Sequence, residues 1–163
     1  AAAEVTPEEP DPDDDPTIDP KVEYFTFNLG TVNNADITQS EENQYEYTIE
    51  TTGGDPFVAV NGFEKEVTGT VLVFHYQTTA AVNAEFFWCD AGGGAAGGRE
   101  TFFDIPKNDT EEWKTFKINL ADAMAEHNWA GNVGDFMRFD FGSTAGVTIK
   151  IRNIHFRAAR EDE

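Results

Sequence analysis

From Val22 onward the chain alternates with a period of two. Tyr45, Tyr47 and Ile49 alternate with Glu46, Thr48 and Glu50, which predicts a strand with one polar face. Leu72, Phe74 and Tyr76 form one face of the next clear strand, and Val71, Val73, His75 and Gln77 form the other. Further strand-like runs are Val22 to Asn28, Phe57 to Val60, Ala84 to Asp90, Glu100 to Ile105, Trp113 to Leu120, Phe136 to Phe141 and Val147 to Phe156. Turn chemistry bounds them at Gly53-Gly54-Asp55-Pro56, Pro106-Lys107-Asn108-Asp109 and Gly142-Ser143. Only Ala121 to His127 reads as helical, for about two turns. Many short strands with almost no helix predict an all-β fold, a β-sandwich of the jelly-roll kind.

The first twenty residues break this pattern. They carry Glu4, Glu8, Glu9, Asp11, Asp13, Asp14, Asp15 and Asp19 with no base, against a formal charge of −20 for all 163 residues. Five prolines (Pro7, Pro10, Pro12, Pro16 and Pro20) stiffen the same stretch. Proline and like-charge repulsion favour an extended spacer over a packed element. The expected organisation is an acidic, proline-rich linker over 1–21, a β-sandwich over 22–158 and a charged tail over 159–163. With 39% hydrophobic and 13% aromatic residues the sandwich can bury a core. So negative a surface repels phosphate backbones and anionic lipid, which argues against nucleic-acid partners and membrane binding. No apolar run is long enough for a membrane helix. A lone Cys89 excludes a disulfide framework and reads as an inert buried thiol. Without an initiator Met or signal peptide, the chain reads as a processed or excised piece.

Several segments resemble a known family. Phe74-His75-Tyr76, the strand opened by Trp113 and running to Leu120, and the closing Ile151-Arg152-Asn153-Ile154 are similar to motifs of the galactose-binding-like jelly-roll modules. Those modules occur as carbohydrate-binding domains on secreted and surface proteins of Bacteroidetes, and the similarity spans roughly residues 22–157. The resemblance implies a non-catalytic, polysaccharide-binding role outside the cell or at an outer-membrane surface. It also implies that the leader tethers the fold to a lipid anchor upstream of residue 1, to an enzyme domain or to a surface transport complex. No cofactor is required. The resemblance admits a structural calcium, for which Asp36, Glu46, Asp55 and Asp140 are eligible by residue type alone.

Sugar recognition uses aromatic rings against the C–H face of a pyranose and planar polar groups against its hydroxyls. If Leu72, Phe74 and Tyr76 face the core, His75 and Gln77 face outward. By the same parity Met137, Phe139 and Phe141 face inward, and Arg138 and Asp140 outward. Should these strands share a sheet, the two polar pairs would make one hydroxyl-binding strip; the plainer alternative is a solvated face with an Arg138–Asp140 ion pair. Trp88 lies in a run that is apolar on both faces, and Trp129 in the Asn-Trp-Ala-Gly-Asn loop, so both are candidate stacking platforms. Trp113 reads as a packing residue. Phe102 is outward if Phe103 and Ile105 are buried, and Arg99 stands at the base of a glycine-rich loop.

That loop contains Gly92, Gly94 and Gly97 in a G-x-G-x-x-G pattern, but a strand follows where a nucleotide site needs a helix. No Gly-x-Ser-x-Gly or His-Glu-x-x-His occurs, and 31 acidic residues make any paired-carboxylate assignment arbitrary, so no enzyme is expected. Asn108-Asp109-Thr110 is a glycosylation sequon. The competing reading is a structural or adhesive sandwich in a surface assembly, with every aromatic in its core and no glycan ligand.

Overall fold

The computed structural model describes residues 11–64, 69–88, 100–126 and 137–163, with the backbone alone for Trp88. Ten strands are present in these residues: β1 (Phe27–Asn33), β2 (Ala35–Gln39), β3 (Glu46–Thr51), β4 (Phe57–Val60), β5 (Val71–Thr78), β6 (Val82–Trp88), β7 (Glu100–Ile105), β8 (Lys114–Asn119), β9 (Met137–Asp140) and β10 (Thr148–Arg157). One short helix, α1 (Ala121–Glu126), follows β8, its first N–H bonded to Oδ1 of Asn119 at 3.0 Å. The strands form two five-stranded antiparallel sheets, ordered β1-β4-β9-β6-β7 and β2-β3-β10-β5-β8. This is the expected jelly-roll sandwich.

Alternation accounts for the core. Val58 of β4, Phe86 of β6 and Phe139 of β9 from the first sheet meet Ile49 of β3, Phe74 of β5 and Ile151 of β10 from the second, all of them fully buried. Phe139 sits at the centre, its ring within 6.4 Å of those of Phe27, Phe74, Phe86, Phe103 and Phe141. Tilted, edge-on and stacked aromatic pairs of this kind add about 0.5–1.5 kcal/mol each beyond burial of their area.

Strand β10 carries an irregularity that shapes the outer surface of the second sheet. Arg152 faces His75 and His155 faces Val73, so β10 has an extra residue there. Asn153 absorbs it at φ 56°, in the left-handed region that Asn tolerates. The extra residue switches parity: Ile149 and Ile151 are buried before it, Ile154 and Phe156 after it. It also brings His155 and Arg157 to the outer face.

That outer face is covered, and here the spacer expectation differs from the structure. From Asp11 the acidic leader lies against the second sheet, with a single 3-10 turn over Pro12–Asp14. Asp13 is 6% exposed and pairs with Arg157 at 2.7 Å, Arg160 at 3.1 Å and Lys117 at 3.3 Å. Asp11 pairs with Lys117 at 2.7 Å and Arg160 at 3.0 Å, while Glu163 closes on Arg157 at 2.6 Å. Like charges that would stretch a free segment are neutralised here by three bases. The leader packs on β5 through the Asp13 carbonyl bonded to His75 and through ion pairs to Lys117 and Arg157, the cross-strand neighbours of Val73 and Val71, and β5 is buried on both faces.

Candidate ligand-binding face

The outer face of the first sheet is open and ordered in rows. Antiparallel register sets Asn33, Phe57, Asp140, Glu85 and Phe102 side by side across all five strands. The neighbouring row is Asn28, Ala59, Arg138, Phe87 and Glu100. At its centre the Arg138 guanidinium lies between two rings, 4.1 Å from the Phe57 centroid and 4.4 Å from that of Phe87. Its Nε and Nη2 donate to the two carboxylate oxygens of Asp140, both at 2.7 Å. This fork fixes Arg138 in the plane of the sheet, and its remaining N–H groups have no acceptor among the described residues. Toward the β7 edge, Phe102 is 58% exposed, and Asn83 donates to Asp104 at 2.8 Å.

Glu85 has no ion-pair partner among the described residues. Burial, the charge of Asp140 and that of Glu100 push its carboxyl up to about 7, with Arg138 only partly opposing them. At Arg138 burial works against the charge, but the hydrogen bond and charge of Asp140 more than offset it and raise its pKa.

The sequence-derived candidates fall into three groups. Arg138, Asp140 and Phe102 share this face. His75 and Gln77 do not: β5 belongs to the second sheet, so the expected joint strip with Arg138 and Asp140 is not formed. His75 is 4% exposed, with Nε2 donating to the Asp13 carbonyl at 2.5 Å and Nδ1 accepting from Arg152 at 3.2 Å. Gln77 donates to the carbonyl of Glu111 at 3.4 Å. Arg99 and Trp129 lie outside the described residues, as do Cys89 and the glycine-rich loop; Trp88 is placed only by its backbone pairing with Met137. Phe57, Phe87 and Glu85 were not anticipated. Alternation alone makes them outward, but their convergence on Arg138 depends on strand order.

Asn108 of the sequon is 2% exposed, and its Nδ2 donates to the carbonyls of Tyr76 and Glu112, both at 2.9 Å. The amide is committed to holding a turn. The residues eligible by type for calcium do not assemble a cage: Asp140 is held by Arg138, and Asp36 and Glu46 lie on the other sheet. Among the described residues, no group of three or more His, Cys, Asp or Glu side chains could hold a metal ion. None of the described helices is long and apolar enough to cross a membrane.

Solved structures share this architecture. A mutant of a family 29 carbohydrate-binding module superposes with a TM-score of 0.54 at 12% identity, over 86% of this chain and 94% of that one. A family 29 module from Piromyces equi gives 0.52 at 10% identity, over 87% and 91%. The family 11 module of the cellulosomal cellulase Lic26A-Cel5E of Clostridium thermocellum gives 0.54 at 13% identity, over 83% and 88%. No family model matches the sequence, and no curated protein matches it. At these identities the likeness is one of fold: the chain has the β-sandwich architecture that these carbohydrate-binding modules share.

Proposed function

We propose that the protein is a non-catalytic carbohydrate-binding module whose ligand face is the outer surface of the first sheet. The observation that carries this reading is Arg138, clamped between Phe57 and Phe87 and locked to Asp140 in the middle of an open, five-stranded face. A sugar site needs apolar plates for pyranose C–H faces and fixed planar donors and acceptors for hydroxyls. Phe102 and the edges of Phe57 and Phe87 supply the first; Arg138, Asp140, Glu85 and Asn83 supply the second. Because Asp140 immobilises the guanidinium beforehand, little side-chain entropy remains to be lost on binding. Asp140 and Asp104 accept from hydroxyls and repel anionic sugars, and the Glu85 carboxyl, raised to about 7, adds a group only partly charged at neutral pH, so this face suits neutral hexose polymers. Fold similarity to carbohydrate-binding modules supports the reading as analogy. Polysaccharide is met outside the cell, so the proposal carries an extracellular or outer-surface address.

Affinity electrophoresis through gels containing hydroxyethylcellulose, galactomannan or glucomannan tests it. The wild type is retarded by at least one polymer. Arg138→Ala loses most of that retardation, since it removes the donor and releases Asp140 and both rings together. Should no neutral polymer retard the wild type, the adhesive or structural sandwich becomes the better account.

A further inference from the structure

The second sheet holds a separate groove at its β8 edge, on the far side of the sandwich. It has a volume of about 580 Å³, with Asp14, His75, Trp113, Lys114, Thr115 and Arg152 on its walls. Arg152 is held there by two unlike contacts. Its guanidinium lies 4.2 Å from the Trp113 ring centroid, and its Nε donates to Nδ1 of His75. His75 is buried and donates in turn to the Asp13 carbonyl, so the ring stays neutral with its proton on Nε2.

What sets Arg152 apart is its charge balance. Arg138, Arg157, Arg160 and Lys117 each have a carboxylate partner. Arg152 makes no ion pair among the described residues, although Glu46 is its cross-strand neighbour on β3. Its terminal nitrogens have no acceptor among the described residues. In a chain of net charge −20, an oriented guanidinium beside an indole with no carboxylate partner among the described residues is conspicuous. Asp14 opposes it from the rim, its carboxylate accepting from the Thr115 hydroxyl.

We propose that this groove is a second glycan subsite and takes an acidic sugar unit. The uronate carboxylate lies against the terminal nitrogens of Arg152, while Trp113 provides the apolar wall for the ring. The site does not depend on the first-sheet face: it recognises the charge which that face repels.

The test is an NMR titration of the ¹⁵N-labelled full chain with tetragalacturonate, following the Trp113 indole N–H and the Arg152 Nε–H. Sodium acetate serves as the free carboxylate and cellotetraose as the neutral sugar. Both signals shift saturably with tetragalacturonate, at least tenfold more weakly with acetate and not at all with cellotetraose. Arg152→Gln weakens tetragalacturonate at least tenfold, Asp14→Asn tightens it several-fold by removing the opposing charge, and Arg138→Ala leaves it unchanged. The proposal is overturned if neither signal moves, if Arg152→Gln binds as well as wild type, or if acetate binds as tightly as the tetrasaccharide. None of these results bears on neutral-polymer retention through Arg138, so the two readings fail separately.

Discussion

The two outer faces of the sandwich follow the same alternation of side chains and end up in opposite states. On the first sheet the outward residues of β4, β9, β6 and β7 mix rings with charges, and Phe102 stays 58% exposed. On the second sheet the outward Val71, Val73 and His75 of β5 are buried, with the leader bonded to His75, and Gln77 at the strand end is half-buried. A strand that is apolar on both faces needs a cover. Here the cover comes from the segment least suited by composition to pack. Its carboxylates find Lys117, Arg157 and Arg160, which lie 104 to 149 residues away along the chain. Charge that disorders a segment alone can anchor it where the complementary charge is built into a sheet.

The largest break in this contrast comes from Asp13. Removing a buried carboxylate that serves three bases costs about 2–3 kcal/mol, below the 3–5 kcal/mol of a fully buried pair because the bases regain water. Asp13→Ala should lower the urea midpoint accordingly, whereas Asp15→Ala, exposed and losing only its bond from the Thr17 N–H, should lower it far less. Acid should act in the same direction. Burial opposes the charge of Asp13, but its hydrogen bond to Arg157 prevails and holds its pKa below the usual carboxylate range, while Arg157 pulls Glu163 down to about 2. Their stabilisation is therefore present above about pH 4.5 and is lost as the pH falls through those lowered values.

Glu85 on the open face carries the opposite sign. Its folded pKa is raised to about 7, above that of the unfolded chain, so ionisation costs stability as the pH rises from about 4.5 to 7. Thermal unfolding of Glu85→Gln should show stabilisation relative to wild type at pH 8 and none at pH 4. A difference of equal size at both pH values would show that its charge is not the cause. The smallest effect on folding belongs to Phe102→Ala. An exposed ring contributes little to stability, so the melting temperature should hold while retention in a polysaccharide gel falls several-fold.

How much of this was legible beforehand depended on the range of the interaction. Short-range alternation was enough for the sandwich and for the outward parity of Arg138, Asp140 and Phe102. It missed β2, whose Ala35–Gln39 stretch is half polar and at the sheet edge. The β10 irregularity had a local signal, because the spacing from Ile151 to Ile154 is three rather than two. Which strands share a sheet had none, and this is why His75 and Gln77 were grouped with Arg138 when the sandwich separates them. The docking of the leader was illegible for the same reason: its partners lie more than a hundred residues away along the chain.

The central claim is that the outer face of the first sheet receives saccharide. Mapping backbone amide shifts while titrating a neutral oligosaccharide, of the kind whose polymer retards the protein, tests it most directly. The account predicts saturable shifts at Phe57, Glu85, Phe87, Phe102 and Arg138, with Val73, Lys117 and Arg157 on the covered sheet unmoved. Shifts confined to the second sheet, or none at a concentration where the polymer retards the protein, would contradict it.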